Sequence, residues 1–262
     1  MTRGSGEPDL LAAVTELARL TGDVAASYFK TALNVERKQD GSPVTVADRE
    51  AERVAREWIS KRFPGDGVMG EEYGDQSRAG TRRWLIDPID GTKSFVRGVP
   101  LWATLIALCE GNEVLAGAAY FPAVGEIIAA APGKGCWWNE AKCSVSTIAQ
   151  LRDATALTTD ARFTDQLSRR EGWDELAGRA MIARTWGDAY GYLLVATGRA
   201  EVMIDPVMNP WDAAPFLPVI EEAGGVFTDW NGARTVFGGS AVATNKSLST
   251  EVRRILRGGH NA

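Results

Sequence analysis

Two aspartates three residues apart, Asp87 and Asp90, have the residue type and spacing that most clearly indicate chemistry. They follow the apolar run 84–86, which predicts a buried strand ending at Asp87, because Pro88 lacks the amide hydrogen that would continue it. The Gly-Thr pair at 91–92 then predicts the start of a helix. Carboxylates beside a helix N-terminus offer hard oxygen ligands for Mg²⁺ and free backbone amides for phosphate. The structural alternative is that Asp90 caps a turn or helix and Asp87 accepts a hydrogen bond at the strand end.

Two further stretches add acids that could join this group. Segment 70–74 places Glu71 beside Glu72 after a short apolar run, and adjacent like charges are costly unless they are solvated or bridged by a cation. Asp212 stands at the start of a predicted apolar helix. A solvated turn and a helix-terminal acid stabilised by the helix dipole are the structural alternatives, and the acids alone leave them open.

Histidine and cysteine usage excludes other chemistry. The single histidine, His260, is third from the end of the chain, so the preceding residues contain no Ser-His-Asp triad, histidine zinc site or imidazole base. The three cysteines, Cys109, Cys136 and Cys143, form no CxxC pair. We interpret them as reduced thiols, buried or half-buried, in a cytosolic protein.

Taken in order, these motifs resemble a known family. Gly-Glu-Glu at 70–72, Asp-Pro-Ile-Asp-Gly-Thr at 87–92 and Trp-Asp-Ala-Ala at 211–214 are similar to motifs of the inositol monophosphatase-like superfamily of Mg²⁺-dependent, lithium-sensitive phosphomonoesterases. The similarity extends from Lys38 to Thr244. It implies a fold that is α+β passing into α/β, a layered αβαβα sandwich with an N-terminal antiparallel sheet, a helix pair and a C-terminal α/β part. It also implies a homodimer.

The resemblance assigns roles to individual residues. It implies two or three Mg²⁺ ions per active site, held by Glu71, Asp87, Asp90, Asp212 and the backbone carbonyl of Ile89. Thr92, with Asp48 hydrogen-bonded behind it, would orient or activate an attacking water that Glu71 helps to place. The amides of Gly91 and Thr92 would bind the phosphate, and Lys38 would lie on a loop that shields the site.

Phosphomonoester hydrolysis of this kind is consistent with the residues present. Two metal ions can clamp the attacking and leaving oxygens of an in-line displacement, so no histidine is required. The aspartyl-phosphate route of haloacid-dehalogenase-type phosphatases needs an Asp-x-Asp pair, which does not occur in the chain. A non-catalytic cation-binding protein is disfavoured because Thr92 and every expected ligand are present.

The residues around the motifs favour one substrate. Ser94 matches neither the inositol phosphatases nor the 3′-phosphoadenosine 5′-phosphate phosphatases, whose substrates remain the alternatives, whereas 95–108 and 184–192 resemble histidinol-phosphate phosphatases. L-histidinol phosphate, an intermediate of histidine biosynthesis, carries a positive charge, which either of the additional acids Asp188 and Asp205 could bind. Arg184 could contact the phosphate or a neighbouring acid. The structural alternatives are a helix N-cap at Asp188, a turn acid at Asp205 and a surface ion pair at Arg184. The expected substrate-binding residues are Asp90, Gly91, Thr92, Arg184, Asp188, Asp205 and Asp212.

Hydrophobic periodicity predicts the elements that must position these residues. Helices are predicted from Pro8 to about residue 28 and from an N-cap at Thr45 to the breaker at 64–67. An antiparallel meander is predicted at 102–109, 114–121 and 125–131. Beyond residue 150 we predict helices at 163–177, 188–197, 211–223 and 248–256, and strands at 181–184, 201–204, 226–228 and 241–244.

These patterns divide the chain into two parts. Residues 1–149 carry most metal ligands, and residues 150–262 carry Asp212 and the substrate-specificity residues. The tryptophan pair 137–138 indicates a sheet edge or a subunit contact.

Composition bounds the partners. There are 34 acidic and 29 basic residues, a net charge of −5, which gives no support for binding nucleic acid or an anionic membrane. No apolar run approaches the ~18 residues of a membrane span, and the N-terminal residues lack the apolar core of a signal peptide. We predict a cytoplasmic protein whose partner is a small phosphomonoester.

Overall fold

The structure, a computed structural model, describes residues 9–32, 34–38, 41, 43–76, 82–164 and 166–258, so that Pro8 and His260 lie outside it. Its helices are α1 (Leu10–Tyr28), α2 (Val46–Arg62), α3 (Thr92–Phe95), α4 (Leu167–Arg179), α5 (Ala189–Ala196), α6 (Pro210–Ala213), α7 (Phe216–Glu222) and α8 (Ser249–Leu256). Its strands are β1 (Glu36–Arg37), β2 (Pro43–Val44), β3 (Gly67–Gly70), β4 (Gly74–Asp75), β5 (Arg82–Asp90), β6 (Ala103–Glu110), β7 (Glu113–Phe121), β8 (Glu126–Ala131), β9 (Gly135–Trp138), β10 (Ala141–Lys142), β11 (Thr155–Thr158), β12 (Ile182–Arg184), β13 (Val202–Asp205), β14 (Val226–Thr228) and β15 (Ala241–Thr244).

The larger sheet has the strand order β10-β9-β8-β7-β6-β5-β3-β4 in the described part of the chain. All its neighbours are antiparallel except β3 and β5, which run parallel. Helices α1 and α2 cover one face, where Leu17 packs against Trp84 and Ile106. The opposite face, which includes Leu85 and Leu105, packs against the middle helices. Because both faces are covered, β5 and β6 are apolar almost throughout.

The second sheet, of five strands, has the order β12-β11-β13-β15-β14 among the described residues, and β1 and β2 form a separate antiparallel pair. Strand β11 runs parallel to β12 and β13, whereas β15 is antiparallel to both of its neighbours. Helices α4 and α8 pack together on its outer face, and α5, α6 and α7 lie between the two sheets. The layers are therefore αβαβα, which confirms the predicted fold class and the antiparallel meander.

The prediction that the central strand ends at Asp87 is wrong. Strand β5 continues through Pro88 to Asp90, and its pairing with β6 shifts register between Asp87 and Asp90. The missing amide hydrogen of Pro88 falls within this irregularity, so the ladder does not need it. The Pro88 carbonyl accepts a hydrogen bond from the buried Thr104 hydroxyl at 2.7 Å.

Two helix boundaries also differ from the prediction. Helix α4 begins at Leu167 rather than at 163, because Phe163 adopts a left-handed φ of 51° and stacks on Trp173. The predicted helix 211–223 is two helices, α6 and α7, interrupted at Pro215, which has no amide hydrogen to donate. The sequence pattern does not predict the strands β1, β2, β3, β4, β9, β10 and β11, of which β1 and β2 lie where it indicates a loop.

The two sheets lie on either side of residue 150, and one apolar core joins them. Leu105 and Phe121 of the first sheet belong to the same buried cluster as Tyr192 and Phe227 of the second part. The tryptophan pair 137–138 lies in β9, next to the terminal strand β10. No helix among the described residues combines the length and apolarity needed to cross a membrane.

We expect Gly117→Ala to destabilise the protein by about 1–3 kcal/mol, because overpacked cores relax poorly. A methyl group at Gly117 on β7 would lie 2.4 Å from the carbonyl oxygen of Pro215 and 2.7 Å from its Cα, and this backbone cannot rotate away. The measurement is chemical denaturation followed by tryptophan fluorescence.

Gly178→Ala is the matched control. Gly178 lies in the exposed part of α4 with nothing within 4 Å of an added methyl group. Alanine is favoured over glycine in a helix by about 0.5–1 kcal/mol, so this variant should be no less stable than the parent. Equal unfolding midpoints for the two variants would contradict the close approach of β7 to Pro215.

Candidate active site

The site begins where the parallel strands β3 and β5 end side by side. Gly70 of β3 pairs with Ile86 of β5, and the Glu71 amide donates to the Ile86 carbonyl at 3.1 Å. The residues that follow, Glu71 and Asp87, therefore emerge at the same edge of the sheet. The two carboxylates lie close enough for Glu71 to raise the pKa of Asp87.

The β5 irregularity holds Asp87 in place. One carboxylate oxygen of Asp87 accepts the amide of Ile89 at 2.9 Å, which ties the side chain to its own bulge. One oxygen each from Asp87, Asp90 and Asp212 can be chosen so that all three lie within 4.8 Å of one another. We call these three aspartates the acidic cluster. The structure thus brings together the predicted ligands from two distant parts of the chain.

Backbone amides of the second part hold the other two members of the acidic cluster. Asp90 accepts the amide of Ala189, the first residue of α5, at 2.6 Å. Asp212 accepts the amide of Asn209 at 2.9 Å in a capping box at the start of α6. Asp90 and Asp212 therefore also have the structural role of fixing a helix start. That role does not explain why the three carboxylates converge.

The electrostatics of the acidic cluster favour a bound cation. Burial raises the pKa of Asp87 and of Asp90 well above the usual range, and the neighbouring carboxylates raise both further. Burial also raises the pKa of Asp212, to about 7. Three carboxylates in so small a volume repel one another unless protons or a cation separate them. The donors are hard oxygens, which fits a divalent ion such as Mg²⁺.

Glu52, which sequence reasoning missed, supports the turn that carries Glu71. The Glu52 carboxylate is fully buried on α2, accepts the amides of Glu72 at 2.7 Å and Tyr73 at 3.2 Å, and pairs with Arg56 at 2.7 Å. A methyl group at position 70 would lie 2.1 Å from this carboxylate, so glycine is required there. The available signal was an acid beside the apolar face of α2 with an arginine four residues later.

Lys38 contacts the same turn. Its ammonium group lies 2.7 Å from Glu71 Oε1 and 2.5 Å from Glu72 Oε1. Burial lowers the pKa of Lys38, but these two hydrogen bonds outweigh it and raise the pKa above the usual value. Burial raises the pKa of Glu72 to about 7, although Lys38 opposes this. Lys38 therefore supplies positive charge at one side of the site.

Gly91 and Thr92 lie at the turn from β5 into α3. Gly91 has a left-handed φ of 81°, and an added methyl group would lie 3.0 Å from the Leu101 carbonyl, so glycine is needed. The Thr92 hydroxyl donates to the Ile89 carbonyl at 2.9 Å. The first amides of a helix have no acceptor within it, which leaves them available to a ligand.

Asp48 contacts Thr45 rather than Thr92. One Asp48 oxygen accepts both the amide and the hydroxyl of Thr45, at 2.8 and 2.7 Å, in the capping box of α2. The predicted N-cap at Thr45 is confirmed. The direct hydrogen bond between Asp48 and Thr92 that the resemblance implied is not formed in this structure, because the Thr92 hydroxyl points to Ile89.

A small cavity of about 110 Å³ joins the acidic cluster to the other predicted acids. Asp205, at the end of β13, accepts the Thr159 amide at 3.1 Å and the Tyr192 hydroxyl at 3.0 Å. Asp188 has a strained φ of 49°, and its amide donates to the Thr159 hydroxyl at 2.8 Å. Burial raises the pKa of Asp205 to about 7 and that of Asp188 to about 6. Thr159 was not predicted, and nothing in the sequence marks it.

Arg184 is not brought into the cavity. It lies exposed at the end of β12, one strand away from β11, and its guanidinium donates to the Ala183 carbonyl at 2.7 Å. It is absent from the cavity lining, which consists of Asp90, Leu105, Thr159, Asp188, Ala189, Asp205, Val207, Met208, Asp212 and Phe216 among the described residues.

Comparison with known proteins gives a consistent assignment. A model of the inositol monophosphatase family matches residues 8–258. The chain is 42% identical to a histidinol-phosphatase of Chlorobaculum parvum, covering 92% of this chain and 93% of that one. It is 31% identical to a fructose-1,6-bisphosphatase/inositol-1-monophosphatase of Thermotoga maritima, with coverage of 92% and 93%. The structure of extragenic suppressor protein suhB from Bartonella henselae superposes with a TM-score of 0.88 at 27% identity, covering 96% of this chain and all of that one. The chain therefore belongs to the inositol monophosphatase family.

Proposed function

We propose that this protein is a Mg²⁺-dependent phosphatase that hydrolyses L-histidinol phosphate to L-histidinol and phosphate. The observation that carries the proposal is that two further acids, Asp188 and Asp205, line the same cavity as Asp90 and Asp212 of the acidic cluster. Metal ions neutralise the acidic cluster when bound, whereas Asp188 and Asp205 suit a substrate with a cationic end. The 42% identity to a histidinol-phosphatase supports the same substrate.

Glu71, the acidic cluster and the Ile89 carbonyl are the proposed ligands of two or three Mg²⁺ ions. Bound Mg²⁺ supplies positive charge to the phosphate oxygens and makes a water molecule more acidic. The donor set fits, because the side chains are carboxylates and the Ile89 carbonyl, which accepts the Thr92 hydroxyl, adds a hard backbone oxygen at the same turn. Lys38 fixes one oxygen of Glu71 and leaves the other for the site.

The residues around the phosphate have separate tasks in this proposal. The Thr92 hydroxyl donates its hydrogen bond to the Ile89 carbonyl. Its lone pairs can therefore accept a hydrogen bond from the attacking water and orient it. The amides of Gly91 and Thr92 bind phosphate oxygens. Asp48 acts through the Thr45 cap, which fixes the N-terminus of α2 near Glu71.

Asp188 is the stronger candidate to receive the cationic end of the substrate. Both oxygens of Asp205 already accept hydrogen bonds within the protein. The Asp188 carboxylate accepts none from the described residues, although its backbone is held by Thr159 and by the packing of Gly187 on Thr159. A rigidly placed carboxylate without a partner suits a charge-assisted hydrogen bond to an ammonium or imidazolium group.

Inositol 1-phosphate and 3′-phosphoadenosine 5′-phosphate are the alternative substrates. The relative with inositol-1-monophosphatase in its name is 31% identical, less similar than the histidinol-phosphatase. An uncharged polyol would offer the Asp188 carboxylate no charge-assisted hydrogen bond. A cytoplasmic location and a homodimer complete the proposal and rest on the family resemblance.

Asp90→Asn should remove most activity while the protein stays folded. Asparagine keeps an oxygen to accept the Ala189 amide but loses the ligand charge. Losing metal stabilisation of the transition state costs several kcal/mol, which corresponds to roughly 10²–10⁴-fold in kcat/KM. The measurement is Mg²⁺-dependent phosphate release, with circular dichroism as the test of folding.

Glu171→Gln removes one exposed acid on α4 and should leave kcat/KM unchanged. In the parent protein a chelator should abolish phosphate release, and added Mg²⁺ should restore it. Full activity of folded Asp90→Asn, or activity that persists in chelator, would refute the proposed metal ligands. Lack of turnover on all three phosphomonoesters would refute the phosphatase itself.

Asp188→Asn should raise KM for L-histidinol phosphate by roughly 10–100-fold, the equivalent of a hydrogen bond to a charged group. The reaction of a slower, uncharged phosphomonoester such as inositol 1-phosphate should change much less, and it serves as the internal control. In the parent, L-histidinol phosphate should have the highest kcat/KM of the three candidate substrates. An equal rise in KM for the charged and the uncharged substrate would show that Asp188 does not bind the positive charge of L-histidinol phosphate.

A further inference from the structure

Two of the three cysteines face each other in the hairpin formed by β9 and β10. The ladder pairs Lys142 with Trp137, and the Cys143 amide donates to the Cys136 carbonyl at 3.1 Å. The two sulfur atoms lie 3.3 Å apart. Directly opposite residues of a hydrogen-bonded antiparallel pair have Cα atoms about 5.5 Å apart, within the range of about 4.4–6.8 Å that a disulfide spans. A bond between them therefore needs little movement of the backbone.

The surroundings of the two thiols differ in a way that suits stepwise oxidation. Cys136 is 1% exposed, whereas Cys143 is half-buried and is the more exposed of the two. The hydrogen bond between the two sulfur atoms lowers the pKa of the Cys143 thiol, and the Arg199 guanidinium lowers it further. The same hydrogen bond and burial raise the pKa of Cys136. Cys143 is thus the accessible nucleophile, with a second thiol in contact behind it.

Cys109 provides a contrast within the same chain. It lies on β6 and is fully buried, and burial raises its pKa to about 12. The described residues place no other sulfur against it. A fully buried thiol of this kind is inert to oxidants in the folded protein, so only the hairpin cysteines combine access with a neighbouring thiol.

We propose that Cys136 and Cys143 form a reversible redox-modification site, oxidised by a hydroperoxide to an intramolecular disulfide and reduced by a dithiol. The Cys143 thiolate attacks hydrogen peroxide, the O–O bond breaks, and Cys143 sulfenic acid forms with release of hydroxide, which takes up the proton that the Cys143 thiol lost and becomes water. The Cys136 sulfur then displaces hydroxide from Cys143, which takes up the Cys136 proton to leave as a second water. The two thiols lose two protons and two electrons in all, and the hydrogen peroxide becomes two waters.

The disulfide would form at the crossing between the two sheets. After Cys143 the chain leaves the larger sheet, and the Val145 amide donates to the Ala223 carbonyl at 2.9 Å. None of the proposed metal or substrate residues lies in this segment. The modification can therefore be tested without any assumption about the phosphatase proposal.

The test treats the reduced full-length protein with hydrogen peroxide, blocks remaining thiols with an alkylating reagent, and maps peptides by mass spectrometry. We expect two of the three thiols to be lost, a mass decrease of about 2 Da from two hydrogens, and a peptide linking 136 to 143. A dithiol should restore all three thiols. Three persistent thiols, a bond to Cys109, or a link between chains would overturn the proposal.

Variants separate the two chemical steps. In Cys136→Ala the sulfenic acid has no partner, so a dimedone adduct should accumulate on Cys143, whereas the parent should show at least about tenfold less. Cys143→Ser should show no adduct and no disulfide, and Cys109→Ala should behave like the parent. An adduct on Cys136 in Cys143→Ser, or no adduct on Cys143 in Cys136→Ala, would contradict the assigned order. If a variant does not fold, the peptide map of the parent still decides the proposal.

Discussion

The placement of like-charged carboxylates at one buried point is the constraint on which the rest of this structure depends. Each member of the acidic cluster is held by a backbone amide from a different turn: Ile89 for Asp87, Ala189 for Asp90 and Asn209 for Asp212. These hydrogen bonds stabilise the charged forms, while burial and mutual repulsion oppose them. The amides hold the geometry, and a cation would offset the remaining repulsion.

The five-layer architecture follows from the need to bring these turns together. The β3–β5 edge delivers Glu71 and Asp87, and the helices between the sheets deliver Asp212 and the α5 N-terminus that Asp90 holds. The middle helices can approach only because Gly117 of β7 allows the backbone at Pro215 to come close. The fold thus positions the site through tight backbone contacts between layers, in addition to its apolar core.

Sequence reasoning found residues whose type determines chemistry and missed those whose role depends on partners. The acids at 71, 87, 90 and 212 and the meander were accessible because each has a local pattern. Glu52 was not, since its importance comes from amides twenty residues away. The sequence does not predict that β5 continues through Pro88. The prediction relied on the missing amide hydrogen of Pro88, and the bulge makes that hydrogen unnecessary. The predicted helix wrongly included Phe163. Its left-handed φ follows from tertiary packing against Trp173, which no local sequence pattern indicates.

Hydrogen-bond occupancy distinguishes acids that look alike in sequence. Each cluster member has one oxygen engaged by an amide and the other without a backbone partner among the described residues, which is the arrangement that a metal ligand needs. Asp205 has both oxygens engaged, so it shapes the cavity wall and its charge more than it offers a free acceptor. Asp188 has a fixed backbone and an unengaged carboxylate, the complementary condition for binding a mobile cationic group. Hydrogen-bond occupancy therefore orders these acids by how many of their oxygens remain without a donor from the protein, a difference that charge and burial alone do not reveal.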